Sequence, residues 1–284
     1  MGVSSRCRGG SAAISPTARF TSHVWTAAGL GEPALETPAS HIAGRIGALR
    51  GRALDAVGAL RVESFLLARH RLIDHLLVEA LESGGVGTVI ELAAGLSPRG
   101  LRMTARFPRL TYVEVDLPAM AATKRARLRR TGSASARLSV ESADVFDGSL
   151  EQVFSAVDDR KGVAVVTEGL VNYFPTDAVL DLWSRLVVGT ERFPQVLYLS
   201  DLHLVGVAGP VDRLVASGLG AAVRGRVHFH FRDARAAEVA LRGCGFDEAT
   251  VHAPSAFAAV VPDTGRLGAD RVRVVRAVRA APGR

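Results

Sequence analysis

The sequence has few cysteines and no long apolar run. Its two cysteines, Cys7 and Cys244, lie far apart, so neither a disulfide framework nor a cysteine-based metal site is expected. No run approaches the roughly 18 apolar residues of a membrane-spanning helix, and residues 1–10 lack the apolar core of a secretory signal. These absences predict a cytoplasmic protein with no membrane partner.

Lysine and aromatic residues are also scarce. Nearly all of the 35 basic residues are arginines, against 28 acidic residues, which gives a formal net charge of +7. That excess permits an acidic partner, but the arginines are scattered and only 6% of the residues are aromatic. A nucleic-acid site usually gathers basic and aromatic side chains on one face, so no nucleic-acid partner is expected.

The length and apolar content favour one principal domain. With 284 residues, of which 48% are hydrophobic, the chain can bury a full core. Residues 1–40 are rich in small residues and proline and are predicted to form a flexible or partly helical arm. Residues 41–284 form the domain, with a helical cap at 41–85 and a substrate-side insertion at 202–232. A monomer or a homodimer is expected.

Strand and helix patterns alternate through most of this domain. Strands are predicted at 88–94, 110–115, 137–142, 162–168 and 195–201, and helices between them at 98–106, 118–130, 150–158 and 176–188. Such alternation requires right-handed crossovers and a mostly parallel sheet with helices on both faces. After a helix at 233–244, strands at 247–252 and 270–279 predict an antiparallel hairpin. The result is an α/β, seven-stranded sheet with an antiparallel edge strand.

The end of the first strand is the most informative stretch. Its apolar run gives way to Ala93, Ala94 and Gly95, whose small side chains let the backbone bend sharply and let a ligand approach closely. Ser97 is a favourable N-cap, and Pro98 is predicted at the first position of the next helix. The loop is therefore a candidate ligand site.

A carboxylate ends the second strand. Asp116 lies 21 residues after Gly95, the spacing at which an acid meets the ribose hydroxyls of a bound nucleotide. A dinucleotide frame would place glycines at Ala93, Gly95 and Pro98, and this mismatch disfavours a pyrophosphate. No Gly-Lys-Ser/Thr sequence follows, which excludes a phosphate-binding P-loop. The remaining cofactor class is an adenosine without phosphates, S-adenosylmethionine.

Three ordered segments carry a family resemblance. They are Glu91-Leu92-Ala93-Ala94-Gly95-Leu96-Ser97-Pro98-Arg99, then Glu114-Val115-Asp116-Leu117-Pro118 with Lys124, and Glu168-Gly169-Leu170 with Tyr173. Over about residues 64–200 the chain resembles the leucine carboxyl methyltransferase superfamily, and within it the tetracenomycin-type polyketide O-methyltransferases. The resemblance implies a Rossmann-like class I methyltransferase fold. It also implies transfer of a methyl group to a hydroxyl or carboxyl oxygen of a small, polyketide-like molecule.

The resemblance assigns cofactor-binding roles to ten residues. These are Arg69, Glu91, Ala93, Gly95, Arg99, Asp116, Leu117, Asp144, Val145 and Glu168. Arg69 and Arg99 are similar to arginines that hold the cofactor carboxylate, and Asp144 is expected near the adenine amino group. Each also has a plainer structural interpretation: the arginines could lie exposed on helices, and Asp144 could serve as an N-cap or turn residue.

The acceptor decides whether a base is required. A carboxylate is already ionised at pH 7, whereas a hydroxyl must lose its proton to a nearby group, and neither reaction needs a metal. His203 is the candidate base because it follows Asp201 by two residues, so both could face the same side. His228 and His230 are further candidates, although residues 228–231 also fit a short strand. Four residues are expected to line the acceptor pocket: Asn172, Tyr173, Asp201 and His203.

Three other functions stay open at this point. One is a protein carboxyl methyltransferase of the same superfamily. Another is a nicotinamide oxidoreductase, which Pro98 and the lack of a Tyr-x-x-x-Lys pair disfavour. The third is a binding protein that keeps the fold but has lost the reaction.

Overall fold

The computed structural model of the protein describes residues 21–32, 35, 62–207 and 227–280. The strands are β1 (Val86–Leu92), β2 (Thr111–Asp116), β3 (Leu138–Ser142), β4 (Gly162–Thr167), β5 (Gln195–Leu202), β6 (Glu248–His252) and β7 (Arg273–Ala280). The helices are α1 (Val62–Glu82), α2 (Arg99–Arg106), α3 (Pro118–Arg130), α4 (Ser149–Ser155), α5 (Thr176–Gly189) and α6 (Ala234–Gly243). Together they form the predicted alternation of strands and helices.

All seven strands belong to one sheet, in the order β3-β2-β1-β4-β5-β7-β6. Strands β1 to β5 pair in parallel, whereas β7 is antiparallel to both β5 and β6. The predicted mostly parallel α/β sheet with an antiparallel pair at its edge is confirmed. Within that pair, β7 lies one strand in from the edge, and β6 is outermost.

Two apolar cores cover the two faces of the sheet. Helices α1, α2 and α3 pack on one face, against side chains such as Val89 and Val166. Helices α4, α5 and α6 pack on the other, where Ile90, Val165 and Trp183 are buried. Because successive strand residues point to opposite faces, both sets of positions in the central strands are apolar, as expected for a sheet covered on both sides.

The first strand–helix junction differs from its prediction. Strand β1 ends at Leu92 rather than at residue 94, because Ala93 and Gly95 adopt positive φ angles of 53° and 52° and turn the chain. Pro98 is the N-cap of α2, one position before its predicted place inside the helix. Ser97 still satisfies this end of the helix, since its Oγ accepts a 3.3 Å hydrogen bond from the Arg99 amide.

Two later boundaries also differ. Helix α4 ends at Ser155, three residues before the predicted end at residue 158. The predicted strand 270–279 begins only at Arg273, because residues Ala269–Arg271 form a 3-10 helix after Gly268, whose φ is 90°. Both differences lie where short turns replace regular structure.

The N-terminal arm and cap are described in part. Residues 21–27 are helical, and the Trp25 ring lies 4.6 Å from the His70 ring, centroid to centroid. Helix α1 ends just before Gly84, whose φ of 76° favours glycine. The predictions for residues 1–20, 36–61 and 208–226 lie outside the described residues. No helix in the described part of the chain has both the length and the apolar content needed to cross a membrane.

Candidate active site

Four carboxylates lie at or beside the carboxyl ends of adjacent parallel strands. Glu91 is the penultimate residue of β1, Asp116 ends β2, Glu168 follows β4, and Asp201 is near the end of β5. Because β1 to β5 are parallel, these ends share one edge of the sheet. The strand order reverses between β1 and β4, which is where open α/β sheets bind ligands.

Asp116 connects the first two loops of this edge. Its Oδ2 accepts a 2.7 Å hydrogen bond from the Gly95 amide, and its Oδ1 accepts a 2.8 Å bond from the Leu117 amide. Partial burial raises the pKa of the Asp116 carboxyl, while these two amides oppose that shift. A carboxylate offers about four lone-pair positions, so both oxygens can accept further bonds from a ligand.

Asp144 and Val145 follow β3 at the neighbouring position of the edge. The Asp144 Oδ1 accepts a 3.0 Å bond from the Phe146 amide, while the Asp144 amide donates to Ser149 Oγ at 3.0 Å. Val145 is buried in the core between the sheet and α4 to α6. Asp144 therefore serves as a turn residue through one carboxylate oxygen. The contact of Asp144 with an adenine stays a prediction.

Arg99 lies in the buried centre of the site. It is fully inaccessible, and its three guanidinium nitrogens donate 2.5 Å bonds to Asp74, Glu91 and Glu168. Burial alone would lower the pKa of Arg99, but these carboxylates hold it well above its usual value. The interpretation of Arg99 as an exposed helix residue is wrong, because the first residue of α2 faces the sheet.

Arg69 of α1 joins the ends of β4 and β5. Its Nε donates to Glu168 Oε1 at 3.1 Å, and its Nη1 donates to Asp201 Oδ2 at 3.0 Å. Arg69 is also buried, so its interpretation as an exposed residue is wrong too. Burial opposes ionisation of Glu168, but the charges of His70, Arg99 and Arg69 hold its pKa well below the usual range.

Several members of this buried network were not predicted. The His70 Nδ1 lies 2.8 Å from Glu168 Oε2, and Arg102 donates to Asp74 Oδ2 at 2.6 Å. Tyr112 donates to Glu91 Oε2 at 2.7 Å. A signal was present for α1, because Arg69 and His70 lie between apolar residues that the helix buries, Leu67-Ala68 and Leu72-Ile73. Such charges are buried at acceptable cost only when they are paired.

Asn172 links the ends of β4 and β5, on the side where the sequence predicts the acceptor pocket. It lies in a 3-10 helix, Val171–Tyr173, and its Nδ2 donates to Asp201 Oδ2 at 3.2 Å. Its Oδ1 accepts a 2.9 Å bond from the His203 amide. The structure thus brings together Asn172, Asp201 and His203, and it places the partly exposed Tyr173 beside them in the chain.

The half-buried ring of His203 is oriented by its neighbours. Its Nδ1 lies 3.1 Å from the carbonyl oxygen of Arg271, and a carbonyl can only accept, so Nδ1 carries the proton. Nε2 is then the accepting nitrogen of the neutral ring. The ring centroid lies 5.9 Å from that of Phe65 and 5.8 Å from that of Phe229, so aromatic rings flank the imidazole.

His228 and His230 belong to a segment that lies against this side. The His228 amide donates to the Asn172 carbonyl, and the His230 amide donates to the His203 carbonyl, both at 2.7 Å. In place of the predicted short strand there is an isolated bridge between Leu204 and His230.

Both ring nitrogens of His230 contact other groups of the protein. Its Nε2 lies 3.2 Å from the Val171 carbonyl and its Nδ1 3.0 Å from Thr176 Oγ1. Burial lowers the pKa of His230 to about 4. These contacts favour a structural role for His230 over that of the base.

One protein-family model matches the chain. The sequence model described as leucine carboxyl methyltransferase matches residues 40–187, just over half of the chain. No curated protein matches the sequence significantly. The family match begins before the segment that carries the resemblance, about 64–200, and ends before it does.

Solved structures share the fold at low sequence identity. A structure assigned as a methyltransferase from Thermobifida fusca superposes with a TM-score of 0.63 at 14% identity, over 93% of this chain and 94% of that one. An O-methyltransferase family protein from Burkholderia thailandensis gives 0.51 at 16%, over 78% and 59%. PigF with S-adenosylhomocysteine gives 0.52 at 14%, over 74% and 54%.

Length differs among these structures. The chain spans only 55% and 60% of two further methyltransferase structures that it matches. On the family match over residues 40–187, the chain belongs to the leucine carboxyl methyltransferase family.

Proposed function

We propose that this protein is an S-adenosylmethionine-dependent O-methyltransferase whose acceptor is a hydroxyl or carboxyl oxygen of a small, polyketide-like molecule. The single observation that carries the proposal is the hydrogen bond from the Gly95 amide to Asp116. This bond holds the sharply bent loop after β1 beside the acid that ends β2. The chain also belongs to a methyltransferase family. Supporting structures of the same fold include O-methyltransferases.

The described residues fit S-adenosylmethionine better than a dinucleotide. Ala93 and Gly95 bring bare backbone to the edge through their positive φ angles, and Asp116 offers acceptors for ribose hydroxyls. Pro98 at the N-cap of α2 has no amide hydrogen, so this helix end lacks one donor for a pyrophosphate. The cofactor is therefore S-adenosylmethionine, which supplies a methyl group on a sulfonium when bound.

The arginines have different relationships to such a cofactor. Each of the three Arg99 nitrogens donates a hydrogen bond to one carboxylate, of Asp74, Glu91 or Glu168, so Arg99 positions these groups. Arg69 bridges Glu168 and Asp201 with longer bonds and lies nearer the acceptor side. We propose that Arg69 holds the cofactor carboxylate and that Arg99 keeps Glu91 and Glu168 in place.

Most of the catalysis would come from positioning, because methyl transfer is an in-line displacement. For a hydroxyl acceptor, His203 would take the proton at Nε2, with the Arg271 carbonyl fixing the ring through Nδ1. The aromatic rings of Phe65 and Phe229 beside His203 suit a planar acceptor. A carboxylate acceptor would need alignment only.

The direct test is incubation with S-adenosylmethionine and a panel of hydroxylated aromatics and carboxylic acids, followed by mass spectrometry. The proposal expects a mass increase of one methyl group on at least one small molecule. Binding of S-adenosylhomocysteine without methylation of any small acceptor would contradict it and favour an inactive binding protein. Methylation of added protein carboxyl groups instead would favour the protein carboxyl methyltransferase.

A further inference from the structure

Another buried ion pair contacts the loop of residues 93–97, here called the cofactor loop. Glu114 of β2 and Lys124 of α3 are both about 1% exposed, and the Lys124 Nζ lies 2.7 Å from Glu114 Oε2. The same Nζ donates a 2.8 Å hydrogen bond to the carbonyl oxygen of Ser97. Ser97 belongs to the loop between Gly95 and α2, so one ammonium joins a helix, a strand and this loop.

The loop beside the pair is held on both sides, and its Ala94 amide also donates to the Val115 carbonyl of β2 at 3.2 Å. On its upstream side, the Gly95 amide donates to Asp116, which belongs to the same strand as Glu114. On its downstream side, the Ser97 carbonyl accepts from Lys124. Gly100, at the start of α2, leaves the room that Glu114 occupies, because a Cβ there would lie 2.5 Å from Glu114 Oε1. The loop, α2 and β2 are thus assembled around the buried carboxylate.

The surroundings of Glu114 disfavour a buried negative charge. Glu114 lies opposite Glu91 in the register of β1 and β2, so two acids face each other on the same side of the sheet. A buried pair of this kind contributes little to stability compared with an apolar replacement. Stability alone therefore does not explain this pair. Because the Lys124 ammonium also bonds to the cofactor loop, the pair points to a role in that loop.

We infer that Lys124, held by Glu114, is a positioning residue that sets the conformation in which the loop of residues 93–97 binds the cofactor. This inference rests on the proposed cofactor site. Without the ammonium, the Ser97 carbonyl loses its buried donor, and the loop stays joined to β2 only through its upstream residues Ala94 and Gly95, which donate to Val115 and Asp116. The backbone between Gly95 and Ser97 can then leave the conformation that a nucleoside requires.

The charges around Glu114 give the pair a pH-sensitive component. Burial raises the pKa of Glu114 to about 7, opposed by Lys124 from α3 and reinforced by Glu91 from β1 and Asp116 from β2. As the pH falls from 8 to 6, Glu114 takes up a proton and its attraction for the ammonium weakens. Affinity for S-adenosylhomocysteine should therefore fall over this range, and less so in Glu114→Gln.

The chain offers a matched control, because it has only two lysines, Lys124 and Lys161. Lys161 is exposed, just before β4. The experiment measures the Kd for S-adenosylhomocysteine by calorimetry at pH 8 for wild type, Lys124→Met and Lys161→Met, with folding checked by circular dichroism. We expect at least a tenfold higher Kd in folded Lys124→Met and no change in Lys161→Met.

Each outcome decides between the inference and its alternatives. A folded Lys124→Met protein with lower thermal stability but a wild-type Kd would overturn the inference and leave Lys124 a purely structural residue. If Lys124→Met does not fold, the Glu114→Gln titration decides, since a pH dependence identical to wild type would also overturn it. Failure of wild type itself to bind would instead refute the proposed function.

Discussion

The backbone amide of Gly95 donates a 2.7 Å hydrogen bond to Oδ2 of Asp116, which joins the loop after β1 to the end of β2. The other carboxylate oxygen accepts from the Leu117 amide. The acid proposed to bind the ribose hydroxyls therefore also fixes the loop that faces the cofactor. Loss of this carboxylate would remove the proposed ligand contact and a support of the loop together.

Replacement of Asp116 by alanine should weaken the binding of S-adenosylhomocysteine. The expected loss is about 1 to 3 kcal/mol, because hydroxyl donors of the ligand and the Gly95 amide lose their acceptor. Calorimetry measures this loss directly. Asp181→Ala, at an exposed position of α5, is the matched control and should bind like wild type. An unchanged Kd in Asp116→Ala would remove this residue from the site.

Replacement of Arg99 by methionine should strongly destabilise the fold. Removal of the guanidinium leaves Asp74, Glu91 and Glu168 without a shared buried donor, at a cost of about 3 to 5 kcal/mol. Urea unfolding measures the free energy of unfolding of wild type and of Arg99→Met. The control is Arg106→Ala, whose half-exposed pair with Glu82 contributes less than about 1 kcal/mol. Equal losses in the two variants would refute the central role of Arg99.

Much of the fold could be predicted from the sequence because its elements are set by local pattern. Helix α3 begins at Pro118 and ends at Arg130, as predicted, since a proline fits the first turn of a helix. The predicted end of strand β1 was two residues too late. Alanine is rare in the left-handed region, and no sequence pattern indicated the positive φ of Ala93. Boundaries fail where the backbone departs from what its residue types prefer.

The site was predicted in part. Asp116 was found from its place at a strand end and its spacing from Gly95, whereas Glu91 and Glu168 were assigned by the family resemblance. The partners of Arg99 could not be found, because Asp74 lies on α1 and Glu168 follows β4, and pairing across such distances depends on the packing of three elements. Arg99 was therefore expected to contact the cofactor, and its bonds to three carboxylates became visible only in the structure.

Replacement of His203 by alanine should slow methylation of a phenolic acceptor most at low pH. At pH 6 the phenol is protonated and needs a base, whereas near pH 9 part of it is already ionised. Initial rates between pH 6 and 9 test this, with the partly exposed His75→Ala as control. A constant ratio of variant to wild-type rates across this range would argue against His203 as the base.

The buried His230 should make the protein less stable at mildly acidic pH. Its pKa is lowered by burial from 6.5 to about 4, so between these values the unfolded chain binds a proton that the folded protein does not. The free energy of unfolding contributed by this residue is therefore retained above pH 6.5 and lost as the pH falls toward 4.

Urea unfolding at several pH values tests the role of His230. The variant His230→Gln should show a shallower decline than wild type over this range, whereas His75→Gln should follow wild type. Identical pH dependence in His230→Gln and wild type would show that this histidine is not buried in its neutral form.

The most direct test of the proposed cofactor site is a calorimetric titration of the wild-type protein with S-adenosylhomocysteine and, separately, with NAD. The loop at Gly95, the acid at Asp116 and the proline at the N-cap of α2 predict saturable one-to-one binding of S-adenosylhomocysteine and no measurable binding of NAD. Binding of NAD without binding of S-adenosylhomocysteine would contradict the account.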